Sequence, residues 1–308
     1  MNENHLLQIR RFNRTVTHRI GVLRDDYLGS GRPIGEARLL FEIGLEGATV
    51  RDLRAHLNLD SGYFSRLLRK LEAQALATTE RDTADARVRR VRLTDTGKAE
   101  WKALDQRSKD MAASILEPLG PSQRQRLLAA MEEVERLLRA SAVTIEAADP
   151  FSEAGQACIQ AYFHELQERF DEGFNPELTV SASPEELTPP SGWLLIAWLD
   201  EEPVGCSALK IKEGGYGEIK RMWVAPAVRG LGIAQRLLEA VEVQAAAVGV
   251  KVLQLDTHRN LVEARNMYLR NGYAEIEPYN TNPYAHYWFE KRGLKAKPRG
   301  FPGPQSRS

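Results

Sequence analysis

Apolar residues recur at helical spacing from Leu6 to Tyr27, which predicts one long helix. Pro33 opens a second, IGEARLLFEIG, that stops at Gly44. TVRDLRAHLN (49–58) begins with a threonine cap. DSGYFSRLLRKLEAQAL (60–76) begins with Asp60 or Ser61 as cap and sets Phe64, Leu67, Leu68 and Leu71 on one face. At ATTERDTADARVRRVRLT the period drops to two around an Asp/Thr/Ala turn, the pattern of a short hairpin. Helical spacing returns over 95–119 and 121–141, interrupted by Gly120-Pro121. The run ends at Ala147-Ala148-Asp149-Pro150, and the classes mix beyond it. A helix is expected over 153–172, a Pro/Ser-rich loop over 181–191, and strands over 193–199, 203–212 and 216–225. A helix at 231–248, the strand KVLQLDT, the helix LVEARNMYLRNG and a last strand around AHYWFEK follow. The expected division is 1–145, 146–292 and a disordered tail, 293–308.

Charge sharpens that division. The chain of 308 residues has zero formal net charge. Residues 1–145 hold 25 Lys and Arg against 20 Asp and Glu, and residues 146–308 hold 17 against 22. Two domains with different partners are expected. No run of about 18 apolar residues is present, so no membrane span is expected. The first residues lack the apolar core of a signal peptide. Cys158 and Cys206 lack metal-site spacing, so no metal is expected, and a reducing cytoplasm fits.

In the first half, two short helices joined by a tight turn precede a basic hairpin, a winged helix-turn-helix arrangement. The second helix exposes Ser61, Tyr63, Ser65, Arg66 and Arg69, residues able to reach base edges and phosphates in a major groove. The hairpin carries Arg87, Arg89, Arg90 and Arg92. Alternation puts Arg90 and Arg92 on one face and Arg87 and Arg89 nearer the tip, where a wing touches backbone or minor groove. LRAHLNLDSGYFSRLLRKLEAQAL followed by RDTADARVRRVRLTDTGKAEW resembles the MarR family of bacterial regulators. The wing pattern falls on Asp82, Asp85, Arg87, Leu93, Thr94 and Gly97. The resemblance covers about residues 5–142. It implies a homodimer, built from the first and last helices, that reads a near-palindromic double-stranded DNA operator.

The second half turns on VAPAVRGLGIAQRLL (224–238). Two glycines and an alanine at a helix start let a bulky ligand approach the free N–H groups there, and Arg229 adds positive charge. A phosphate-bearing cofactor follows. The loop resembles the acyl-CoA loop of the GNAT N-acetyltransferase superfamily, on Arg229, Gly232 and Ala234. The block NLVEARNMYLRNGYAE resembles that superfamily's downstream element, ending at Tyr268, Gly272 and Tyr273. The resemblance spans about 143–292 and implies an α+β fold with a mixed, largely antiparallel sheet. It also implies acetyl-CoA as acyl donor, cradled by Arg229, Gly230, Leu231, Gly232, Ile233 and Ala234. The strand Met222, Trp223, Val224 would pair with the pantetheine arm, with the N–H of Val224 as oxyanion donor. Asn260 is a further cofactor candidate, although it stands four residues before Ala264 where many relatives have three. Tyr268 is expected as general acid and Glu218 as general base. The acceptor, an amine of a small molecule or protein, is expected near the first helix and the C-terminal strands, which offer Tyr162, His164, Arg169, Phe174, Tyr279, Tyr284 and His286, residues that packing or surface exposure also explains. The expected protein is a DNA-binding regulator fused to an N-acetyltransferase. The alternative is a regulator whose second domain senses acyl-CoA or an amine without turnover.

Overall fold

Helix α1 (Glu3–Ile20) begins at Asn2, whose side chain accepts from the N–H of Asn4, and stops at Gly21, where φ is +71°. The left-handed glycine turns its N–H back onto the last carbonyls, so the helix ends short of the expected Tyr27. The computed structural model describes residues 2–81, 88–179, 182–294 and 301. Two compact units are present, residues 1–129 and 130–308. The second starts inside a helix, ahead of the boundary expected near 145.

In the first unit, α2 (Ile34–Ile43), α3 (Val50–Leu57) and α4 (Ser61–Ala73) pack around Leu39, Leu40, Ile43, Phe64 and Leu71. Thr49 caps α3 and Asp60 caps α4, each accepting a backbone N–H in the first turn. Asn58, with φ of +48°, ends α3 and makes the tight turn into α4. The strands β1 (Ala48–Thr49), β2 (Ala77–Arg81) and β3 (Arg89–Leu93) form a sheet in the order β1-β3-β2. Val91 and Leu93 point into the core. Helices α5 (Asp95–Leu116) and α6 (Pro121–Ala142) follow, and the division between the units falls within α6. Among the described residues no helix is long and apolar enough to cross a membrane.

The second unit is built on a seven-stranded sheet. Its strands are β4 (Thr144–Ala148), β5 (Gly192–Leu199), β6 (Glu202–Lys212), β7 (Tyr216–Val224), β8 (Val252–Thr257), β9 (Ala274–Ile276) and β10 (Tyr287–Arg292). The order is β4-β5-β6-β7-β8-β10-β9, with β7 and β8 the parallel pair. The short β4 and β9 were not expected. Each is an edge strand of at most five residues whose pattern carries no clear alternation. Besides the end of α6, the described residues of the unit form the α-helices α7 (Glu153–Arg169), α8 (Ile233–Ala247) and α9 (Val262–Arg270). In β5, Leu195 and Ala197 pack with Leu237, Leu238 and Val241 of α8. Leu194 and Ile196 pack on the other face with Cys158 and Ile159 of α7. Burial of both faces explains why GWLLIAWL is apolar almost throughout.

Candidate functional site

The parallel pairing of β7 with β8 covers only Tyr216, Gly217 and Glu218, opposite Val252, Leu253 and Gln254. Both strands continue past it, so the sheet splays open from residue 219 onward. The N–H of Ala225 donates to Val204 of β6. Backbone alternation therefore aims the N–H of Val224 to the other side, into the split. A groove of about 660 Å³ lies there, within the size range of ligand sites.

Met222, Trp223 and Val224 form one wall of this groove, and Arg229, Gly230, Gly232, Ile233 and Ala234 form its end. Gly232 stands at the N-terminus of α8 with φ of +75°, and no side chain caps the helix. The first N–H groups of α8 thus point to the groove, where they and the helix dipole favour an anion. Arg229 donates from Nε to the Val224 carbonyl at 3.0 Å, and its Nη2 meets Glu165 of α7. Two of the expected residues are placed elsewhere. Leu231 packs toward the core and does not line the groove. Asn260 spends its amide on the Arg169 carbonyl at 2.7 Å and on Asp171, where it ties the β8–α9 turn to the end of α7.

A smaller cavity, about 80 Å³, adjoins the groove and shares Tyr162, Leu166, Met222, Leu261 and Ala264 with it. Tyr268 lines the smaller cavity and is 4% exposed. Burial raises its phenol above the usual tyrosine range, and the charges of Tyr162 and Asp256 act in the same direction. Tyr162 lines both spaces, and burial pushes its phenol up to about 12. Phe174 and Tyr284 line the small cavity, and Arg169 the groove. His164 is exposed beside Glu168, His286 is exposed, and Tyr279 donates to Glu218 behind the cavity.

Glu218 is not brought to either space. It is buried, 2.9 Å from Lys220 Nζ, and accepts from the Tyr279 hydroxyl at 2.8 Å. A buried carboxylate that lines neither space and already holds a cation and a phenol suits charge pairing rather than the expected base role. The carboxylate that does face the small cavity is Asp256 of β8, 3.3 Å from Lys220 and hydrogen-bonded by Asn280 and Asn282. An aspartate and a histidine in LQLDTHRN, ending an otherwise apolar strand, were the sequence signal for Asp256 and His258. Glu218→Gln is expected to cost roughly 2 kcal/mol of stability, below the ~3–5 kcal/mol of a fully orphaned buried charge, because Asp256 still holds Lys220. Urea unfolding and thiol release measure it. Unchanged stability with a rate loss confined to low pH would return the base role to Glu218.

In the first unit, α4 turns Phe64, Leu67, Leu68 and Leu71 inward and leaves Ser61, Tyr63, Ser65, Arg66 and Arg69 exposed. The Arg66 guanidinium lies 5.7 Å from the centre of the Tyr63 ring. Arg89 is exposed at the start of β3. Arg87, Asp82 and Asp85 lie outside the described residues.

Residues 159–273 match the model of the acetyltransferase (GNAT) family, and residues 30–88 match that of the MarR family. A protein named IAA acetyltransferase, from Azospirillum brasilense, is 34% identical over 46% of this chain and 90% of its own length. The chain belongs to the GNAT acetyltransferase family. Its C-terminal half is an N-acetyltransferase domain, and its N-terminal half carries a MarR-type helix-turn-helix. The uncharacterized N-acetyltransferase YsnE of Bacillus subtilis is 30% identical over 34% of this chain and 70% of its own. Among solved structures, the PaiA N-acetyltransferase of Thermoplasma acidophilum in complex with coenzyme A is 18% identical. It covers 49% of this chain and 99% of that one, with a TM-score of 0.40. Within this GNAT domain, the open strand and the helix N-terminus of α8 meet at a single groove.

Proposed function

We propose that the chain transfers an acetyl group from acetyl-CoA to a primary amine of a small molecule and binds an operator through its N-terminal unit. The groove carries the first part of this reading. Its open β7 edge can pair with a pantetheine arm, and its far end presents uncapped N–H groups and Arg229 to a pyrophosphate. In this reading the amine attacks the thioester carbonyl in the small cavity, the N–H of Val224 stabilises the oxyanion, and Tyr268 donates to the departing thiolate. The ammonium proton leaves to water in this reading, because Asp256, the carboxylate lining the small cavity, already holds Lys220 and the amides of Asn280 and Asn282. The test is thiol release from acetyl-CoA over a panel of amines. Tight acetyl-CoA binding without release for any amine would favour a sensor.

The exposed face of α4 supports the second part. Helix α1 buries none of its residues and exposes Leu6, Leu7, Ile9 and Phe12, an apolar face suited to a second copy in a homodimer. Arg89→Ala is expected to weaken binding to every duplex and to reduce the salt slope by about one, the loss of one phosphate contact. Arg66→Ala is expected instead to blunt discrimination between operator and random DNA. Fluorescence anisotropy at several salt concentrations separates the two. An unchanged salt slope in Arg89→Ala removes that residue from the interface.

A further inference from the structure

An anion site made of backbone must present N–H groups and turn its carbonyls away, because a carbonyl oxygen carries partial negative charge. The loop at the groove end contains two left-handed glycines, Gly230 with φ of +79° and Gly232 with φ of +75°. Among the described residues, the N–H groups of Gly230, Leu231 and Gly232 have no backbone acceptor. The carbonyl of Gly232 is taken by α8 itself, where the N–H of Arg236 donates to it at 3.1 Å. The carbonyl of Gly230 lies ahead of that helical ladder. Arg136 of α6 holds it, donating from Nη1 at 2.7 Å.

The guanidinium is set for this contact. Glu133, one turn earlier on α6, accepts from its Nε at 2.8 Å and from its Nη2 at 2.7 Å. That fork fixes the guanidinium plane and leaves Nη1 to the loop. A trans peptide is planar, so the Gly230 carbonyl and the Leu231 N–H point in opposite directions. With the carbonyl held toward α6, the N–H is aimed away from α6. A second arginine ties the same elements in the reverse sense. Arg236, in the first turn of α8, donates to the carbonyls of Ala140 at 2.8 Å and Val143 at 2.6 Å. Ala140 lies in the last turn of α6, where carbonyls lack a helical partner. The end of α6 thus leans on α8, and the loop before α8 leans on α6. Helix α6 lies outside residues 159–273, the stretch that matches the acetyltransferase family.

Building on the reading of the groove as an acyl-CoA site, we propose that Arg136 is a positioning residue of that site. It holds the Gly230 carbonyl off the pyrophosphate and keeps the Leu231 N–H directed at it. A helix outside the matched acetyltransferase stretch thereby completes the acyl-donor site. Arg136 and Glu133 are 44% and 50% exposed, and a surface pair adds little stability. Removing Arg136 should therefore cost ligand affinity and spare the fold.

The test uses the full chain, with coenzyme A and 3′-dephospho-coenzyme A as probes. Arg136→Ala is expected to raise the coenzyme A Kd at least about 10-fold in calorimetry, the scale of one lost hydrogen bond to a charged group, with Tm unchanged. Arg136→Lys keeps a donor for the Gly230 carbonyl and should recover most of the affinity. Arg139→Ala removes an equal charge from the exposed surface of the same helix and should leave binding nearly unchanged. The loss in Arg136→Ala should be the same with 3′-dephospho-coenzyme A, which retains the pyrophosphate. At saturating coenzyme A, hydrogen exchange should find amides 230–232 less protected in Arg136→Ala than in the parent, and amides 222–224 unchanged. Parent-like affinity in Arg136→Ala overturns the proposal and leaves the groove reading standing. Equal losses in Arg136→Ala and Arg139→Ala reduce the effect to net charge and overturn the positioning role. A loss that vanishes with 3′-dephospho-coenzyme A makes Arg136 a direct contact of the 3′-phosphate and overturns it too. So does a fall in Tm with protection lost along both segments, the mark of general loosening. A parent chain that does not bind coenzyme A defeats the groove reading, and the proposal with it.

Discussion

Tyr268→Phe is expected to lower acetyl transfer by about 10²-fold and to leave coenzyme A binding nearly intact. The ring is packed, not loose. It meets Tyr273 edge-on at 5.7 Å and Phe289 at 6.1 Å, so phenylalanine keeps the packing and removes only the hydroxyl. Tyr268 lines the small cavity and not the groove, which is why acyl-donor affinity should barely move. Burial holds the phenol protonated well above neutral pH, so it remains a donor to the thiolate throughout the working range. The unaltered chain should therefore show no descending limb from this group below about pH 10, the usual tyrosine value. Single-turnover thiol release between pH 6 and 10, with calorimetry for coenzyme A, checks both statements. Tyr162→Phe is the necessary companion, because that phenol lines both spaces. If Tyr162→Phe loses 10²-fold and Tyr268→Phe does not, the acid is Tyr162.

Several elements of both units were legible because each obeys a local rule. The glycine pair at a helix start, the period change at 77–94 and the caps at Thr49 and Asp60 all act within a few residues. The splay of β7 from β8 is not local. It follows from where a parallel pairing stops, and neither strand alone records that. Glu218 shows the same limit. Its place on the strand feeding the loop was correct, and Lys220 is its neighbour on that strand, yet Tyr279 and Asn280 close around it from about sixty residues away. Asn260 likewise finds its partners at the end of α7, about ninety residues back. The left-handed backbone of Arg221, with φ of +58°, was invisible in EIKRMWV, where nothing distinguishes it from an ordinary strand residue.

Gly232→Val should abolish coenzyme A binding to the limit of calorimetry, an increase in Kd of at least about 10²-fold. Two effects combine. With φ of +75°, the position lies in the left-handed region that a β-branched side chain adopts only as an outlier, at a cost of roughly 1–3 kcal/mol. That part falls on the loop itself and would show as a lower Tm. The second part concerns the ligand. A Cβ built on Gly232 meets nothing within 4 Å, so no protein atom opposes it in the unliganded chain. It therefore occupies open space beside the groove end, where the uncapped N–H groups of α8 would receive a phosphate. Gly232→Ala separates the two effects, since alanine adds the same Cβ with less backbone strain. It should keep most of the parent Tm and still bind coenzyme A at least about 10-fold more weakly. Gly272, also left-handed with φ of +80° and open space around it, is the matched control away from the groove. If Gly232→Ala and Gly272→Ala weaken coenzyme A binding equally, the loss reflects backbone strain, and the loop does not hold the pyrophosphate.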